Sequence, residues 1–202
     1  VMEDKRDKIL KVAVEEFADH GYKAASTNRI SEVAGVSKGL IFHYFGSKEK
    51  LYTAAVTYSV DLAMQEVPIG EMPTENFMEG AIWSTKQKLH FSKNYPAAFK
   101  LIMQSYANPP AALAERLHAY YTEMLQMQDV YMNQIFERVT LRADVVLEDA
   151  HDVIRALFDY TIKIATDYIR ENPNATMQEM QPLVDKFMHM MAIVERGMIQ
   201  KT

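Results

Sequence analysis

The chain has no cysteine, which excludes disulfides, thiolate metal sites, iron–sulfur clusters and thiol catalysis together. Glycine and proline are scarce, seven of each in 202 residues. That is about half the average share and argues against a loop-rich β fold, a collagen-like chain or a disordered one. Long hydrophobic runs are missing too: no uncharged apolar stretch approaches the roughly eighteen residues of a membrane span. Residues 2–8, MEDKRDK, are charged and lead straight into an amphipathic pattern, so no signal peptide is expected. The protein therefore reads as cytoplasmic, without a membrane partner. The composition that remains, 49% hydrophobic and 24% charged, suits a globular protein with a core of its own.

A net charge of −5 would speak against a nucleic-acid partner if it were spread evenly. It is not. Within 22–51 five basic residues (Lys23, Arg29, Lys38, Lys48, Lys50) stand against two acidic ones (Glu32, Glu49). A small basic segment sits on an acidic body, and local charge decides whether a surface can meet phosphates.

Apolar residues recur at helical spacing almost throughout, with no sustained period-two alternation, so the expected class is all-α. Ile9, Val12, Ala13 and Phe17 share one face of a first helix ending at His20-Gly21. Thr27 is placed to cap a short helix carrying Ile30, Val33 and Ala34. Gly35-Val36 breaks it, and Ser37 caps a second short helix with Leu40, Ile41 and Tyr44. Gly46-Ser47 then opens a longer helix with Leu51, Ala55, Leu62 and Ala63. Pro68, Gly70 and Pro73 mark the first clear boundary, which divides the chain into 3–63 and 64–202. Further helices are expected at about 74–93, 96–107, 110–140, 147–171 and 177–200. Thr176 with Glu179 fits a capping box, and Pro182 predicts a kink or a late start in the last helix.

Residues 26–45 read STNRISEVAGVSKGLIFHYF. Ile30, Ala34, Val36, Ile41 and Tyr44 can close a small core between two short helices, with Ser31 at the crossing and Gly35 in the turn. That pattern is a helix-turn-helix, although an ordinary helical corner would share the spacing. The longer run from Ile9 to Leu51 resembles the N-terminal domain of TetR-family transcriptional regulators. The matching features are Phe17, Gly21-Tyr22, Thr27, Ile30, Ala34-Gly35-Val36, Ser37, the His43-Tyr44-Phe45 block and Lys48. The resemblance implies a homodimeric, ligand-responsive regulator, usually a repressor, with double-stranded operator DNA as partner. Residues 3–63 would then be a three-helix DNA-binding domain, and 64–202 a helical effector-binding and dimerisation domain.

Physical roles follow for the motif. A helix from Lys38 to Phe45 is short enough to enter a major groove by its N-terminal end. Gly39 permits close backbone approach, Lys38, Asn28 and Arg29 are the polar candidates for base edges, and Leu40 can touch a thymine methyl. Thr27 and Ser37 stand at the DNA-facing helix starts. By position in the resemblance, His43, Tyr44 and Lys48 hold phosphates. Phe42 stands where many relatives carry a tyrosine hydroxyl, and the Tyr44 ring also fits the motif core.

The rest of the chain is harder to assign. Leu113, Leu117, Tyr121, Met124, Gln128, Tyr131 and Ile135 form an inward row in helix 110–140. Gln128 is out of place in that row: either Tyr121, Thr161 or water satisfies its amide, or it faces a cavity, with Trp83, Phe99, Met103 and Tyr106 on nearby stretches. The expected effector is a small, largely apolar, neutral or weakly polar molecule between helices 74–93, 96–107 and 110–140. The stripes of helices 147–171 and 177–200, through Leu157, Phe158, Tyr168, Phe187, Met191 and Val194, are expected to form the dimer interface. The alternative is that both stripes face the subunit's own core, and each is wide enough to serve both. Two Glu-x-x-His pairs, Glu115/His118 and Glu148/His151, raise a diiron-oxidase alternative. Their helix faces read as polar and solvent-directed, whereas bundle ligands point inward. No catalytic residue, metal or cofactor is therefore expected, and a non-catalytic helical interaction protein is the remaining alternative.

Overall fold

Four polar residues in the first fifty positions cap the helices that follow them. The computed structural model describes residues 4–200, apart from the side chains of Ile69, Met124 and residues 126–129. Asp4 caps α1 (Lys5–Ala24) by accepting from the Arg6 N–H, and Ser26 caps α2 (Thr27–Ala34) by accepting from Arg29. Ser37 does the same for α3 (Lys38–Phe45) through Leu40, and Ser47 for α4 (Lys48–Glu66) through Lys50. The cap of α2 thus lies one residue before the expected Thr27. Ser26 has the extended backbone a cap needs, and Thr27 is already helical. Gly21, at φ 68°, interrupts α1 near its end, and Gly35 closes α2 in the left-handed region at φ 65°.

The later helices are α5 (Phe77–Asn94), α6 (Pro96–Ala107), α7 (Ala114–Phe136), α8 (Leu147–Glu171) and α9 (Gln181–Met198). A 3₁₀ turn at Ala111–Leu113 leads into α7, which ends at Phe136 rather than near 140. The α9 start is late, as Pro182 predicted: proline sits in the first turn, where its missing N–H costs nothing. The Thr176/Glu179 box closes the turn before it, with Thr176 N–H on Glu179 Oε2 at 2.8 Å and Glu179 N–H on Thr176 Oγ1 at 3.3 Å. Among the described residues the extended pairing is one isolated bridge, Leu141 with Ile199. No helix among them is long and apolar enough to cross a membrane.

The chain divides into two compact units, Val1–Val67 with Phe91–His118, and Pro68–His90 with Ala119–Thr202. In the first, α1 packs on α4 and α6, and α2 on α1. Ile9, Phe17, Ile30, Ile41, Leu51, Val56 and Leu101 are essentially removed from solvent there, and Tyr52 meets Phe17 edge-on at 4.9 Å. In the second, Phe77, Met132, Ile135, Phe136, Ile154, Leu157, Phe187 and Met191 form one core. Leu157, Phe187 and Met191 were expected in a subunit interface. The chain itself buries them, because α8 and α9 turn these faces onto one another and toward Ile135 and Phe136. Phe158 and Val194 pack against the same core, and Tyr168 is half-buried.

Candidate nucleic-acid interface

The motif core forms from Ile30 and Ala34 of α2 with Ile41 and Phe45 of α3. Two expectations are corrected here. Val33 is 70% exposed, and Tyr44, at 40%, yields the core position to Phe45. The cause is helical geometry: Ile41 and Phe45, four apart, share a face, and a residue one step away is rotated off it. Asn28, Arg29, Ser37, Lys38, Gly39, Phe42, His43 and Tyr44 are exposed, and Thr27, Leu40 and Lys48 are half-buried. All eleven residues expected to meet DNA thus belong to the first unit, and none is sealed in its core.

Glycine at 39 answers no demand of the fold. Its φ is not positive, and an added Cβ would touch only Ser37 Oγ, at 3.9 Å. The Lys38 ammonium lies over the Phe42 ring at 5.9 Å, one turn away, and the His43 and Tyr44 rings are 5.7 Å apart. The end of α3 therefore presents an aromatic cluster beside a cation.

Arg29 has a different task from the one its type suggests. Its Nη2 meets Glu16 Oε1 at 2.6 Å and the Ala24 carbonyl at 2.9 Å, while Nε spans both Glu16 oxygens. The Ser26 N–H donates to the same carboxylate at 2.7 Å, and His20 Nε2 is 3.7 Å away. Glu16 thus ties the start of α2 to α1. Burial works to raise its carboxyl, but hydrogen bonds from Arg29 and Ser26, with the charges of Arg29 and His20, hold it below the usual value. Lys48 extends the cluster: its ammonium donates to the Lys23 carbonyl at 3.1 Å and lies 5.1 Å from the Tyr22 ring. Burial, with the Arg29 charge adding and Glu16 opposing, pushes that ammonium below its ordinary range. One of its three donors is used, so phosphate contact stays open to the others.

Glu16 was missed by the sequence reading. Its local signs were small: a carboxylate beside the buried Phe17, four residues before His20. The partner that matters lies thirteen residues on.

The expected effector residues are divided. Phe99, Met103 and Tyr106 belong to the first unit, and Trp83, Tyr121, Tyr131 and Thr161 to the second. The side chains of Met124 and Gln128 lie outside the described residues. Thr161 donates to Leu157 O of its own helix at 2.8 Å. The Glu-x-x-His pairs are divided too. Glu115 and His118 are exposed in the first unit, while His151 of the second is half-buried, stacked at 4.0 Å on Phe136. That position corrects the solvent-directed reading of His151: its ring packs against the core. Among the described residues no three His, Asp or Glu groups stand close enough to hold a metal.

Residues 9–55 match the family described as bacterial regulatory proteins, tetR family. Over 49 residues the chain is 51% identical to the HTH-type transcriptional repressor AcnR of Corynebacterium efficiens, a stretch covering 24% of this chain and 26% of that protein. AcnR of Corynebacterium glutamicum is 24% identical over 184 residues, 90% of this chain and 93% of that protein. A TetR transcriptional regulator of Chloroflexus aurantiacus shares the fold at a TM-score of 0.64 and 20% identity, over 98% of this chain and 97% of that one.

Proposed function

We propose that this chain, whose residues 9–55 match the TetR family of bacterial regulatory proteins, is a homodimeric repressor that a small molecule releases from a palindromic operator. The observation that carries this reading is the open face of α3. It presents Lys38, Phe42, His43 and Tyr44 outward, while Arg29 is held on Glu16. Base reading falls to Lys38 and Asn28, with Leu40 near a thymine methyl, and phosphates fall to Tyr44, His43 and Lys48. The name of the AcnR relatives supports the repressor sign. The target is DNA in the cytoplasm.

Dimerisation is assigned to the outward sides of α8 and α9. Val153, Tyr160 and Ile193 are 46%, 41% and 71% exposed there, after the inward sides have been used by the core. The effector is read as neutral and largely apolar, on the half-buried Trp83 and the buried Tyr121. It would act by binding two conformations unequally. Titrating a labelled duplex across a salt series tests the interface. Lys48→Ala should weaken binding to every sequence alike and reduce the salt slope by about one ion. Lys38→Ala should change base preference. If both variants bind as the parent does at every salt concentration, α3 does not face DNA.

A further inference from the structure

The second unit holds a cleft of about 840 Å³ between residues 70–75, the start of α5 and the end of α7. Four carboxylates line it, Glu71, Glu75, Glu79 and Glu137, against one cation, Arg138. Among the described residues none of these five side chains is engaged in an ion pair or hydrogen bond. The surplus of negative charge reaches the neighbouring Glu195: burial, then the charge on Glu79, pushes its carboxyl up, although the Met78 N–H donates to it at 3.0 Å.

Thr74 supplies an observation of another kind. It is 91% buried, since only 9% of its surface is exposed, yet among the described residues its hydroxyl meets no partner. Among the described residues no unpartnered side-chain oxygen is sealed from solvent. The hydroxyl is therefore reached by solvent, and Thr74 lines the cleft. The wall that holds it is close-built. A Cβ on Gly80 would meet Met72 Cε at 3.2 Å and the Pro73 carbonyl at 3.3 Å, so glycine lets this loop lie directly on α5.

We infer that this cleft binds an organic polycation, a molecule whose ammonium groups are separated by methylene segments. The carboxylates are spread along the walls, and no three gather as metal ligands would among the described residues. That arrangement suits several separated charges better than one compact ion. Met72 and Pro73 offer apolar surface to methylenes, the Tyr131 ring offers a face to an ammonium, and Thr74 and Gln134 offer oxygen acceptors. The volume lies within the range of small-molecule sites, on the order of 300–1,000 Å³. Binding here depends on the second unit's own residues and stands apart from the operator reading.

The test is calorimetric titration of the full chain with spermidine at low ionic strength, with magnesium chloride as the competing cation. Saturable binding of one spermidine per chain is expected. Glu75→Gln with Glu137→Gln should weaken it roughly tenfold, and Arg138→Gln, which removes a like charge, should tighten it severalfold. Thr74→Val should weaken it by roughly threefold without changing the salt slope. All these positions except Thr74 are exposed, and thermal melting confirms that each variant folds. Absence of saturable binding overturns the inference. So does a charge-removed double variant that binds as the parent, or displacement of spermidine by magnesium at equal normality, which would mark a diffuse counterion atmosphere.

Discussion

Glu16 stands thirteen residues before Arg29 and ten before Ser26, and its carboxylate takes hydrogen bonds from both. That one side chain, 9% exposed, ties the start of α2 to α1 beside the apolar contacts of the core. Glu16→Gln keeps the shape and removes the charge, so it should destabilise the protein by about 1–3 kcal/mol at neutral pH. The dependence on pH has a definite sign. A carboxyl held below its unfolded value stabilises the fold fully above the ordinary carboxylate range, and this is lost as pH falls through the folded value. Urea midpoints of parent and Glu16→Gln should therefore converge in acid; a gap that stays constant would show that the charge is not what matters. The residues facing DNA were legible because their types sit at fixed places in a short motif. Glu16 was not, because nothing in the sequence marks a contact that only tertiary packing creates.

At the scale of the element, α2 and α3 owe their angle to the turn at Gly35-Val36. Gly35 has φ 65°, and an added Cβ would meet only Lys8 Nζ, at an ordinary 3.8 Å. The cost of Gly35→Ala is then that of the backbone alone, about 1–2 kcal/mol for an L-residue in the left-handed region. Asparagine tolerates that region better, so melting temperatures should fall in the order parent, Gly35→Asn, Gly35→Ala. Equal melting of the two variants would contradict this. Helix existence was readable at this scale: α6 and α8 begin and end where proline, the acidic first turn and Asn172 put them. Facing was read less well. Val33 and Tyr44 fit the apolar pattern of their helices, but eight-residue helices bury a narrow stripe, and Ala34 and Phe45 occupy it. A pattern with so few turns leaves its own phase open by one residue.

For the whole molecule, the reading along the chain set one boundary near 63. The two units show a different partition, since 91–118 returns to the first and α6 packs on α1 and α4. Such a return depends on which helices meet, and periodicity carries no information about partners. The same gap explains the interface residues. Leu157, Phe187 and Met191 have the right character for an interface and are used by the core. The proposed dimer accordingly makes opposite predictions for two kinds of variant. Ile193→Glu with Val153→Glu should give a folded monomer by sedimentation. Leu157→Asp should lose the fold, because an unpaired charge in that core costs several kcal/mol. A dimer that survives the first pair would move the interface elsewhere.

Repeated selection of bound duplexes from a random pool, at low salt, tests the regulator account most directly, with the stoichiometry of the selected complex measured by sedimentation. Enrichment of a pseudo-palindrome bound by chains in multiples of two is expected, with base preference altered by Lys38→Ala and overall affinity by Lys48→Ala. A pool that stays random while the protein is folded and dimeric, or a selected site read identically by Lys38→Ala, would contradict it.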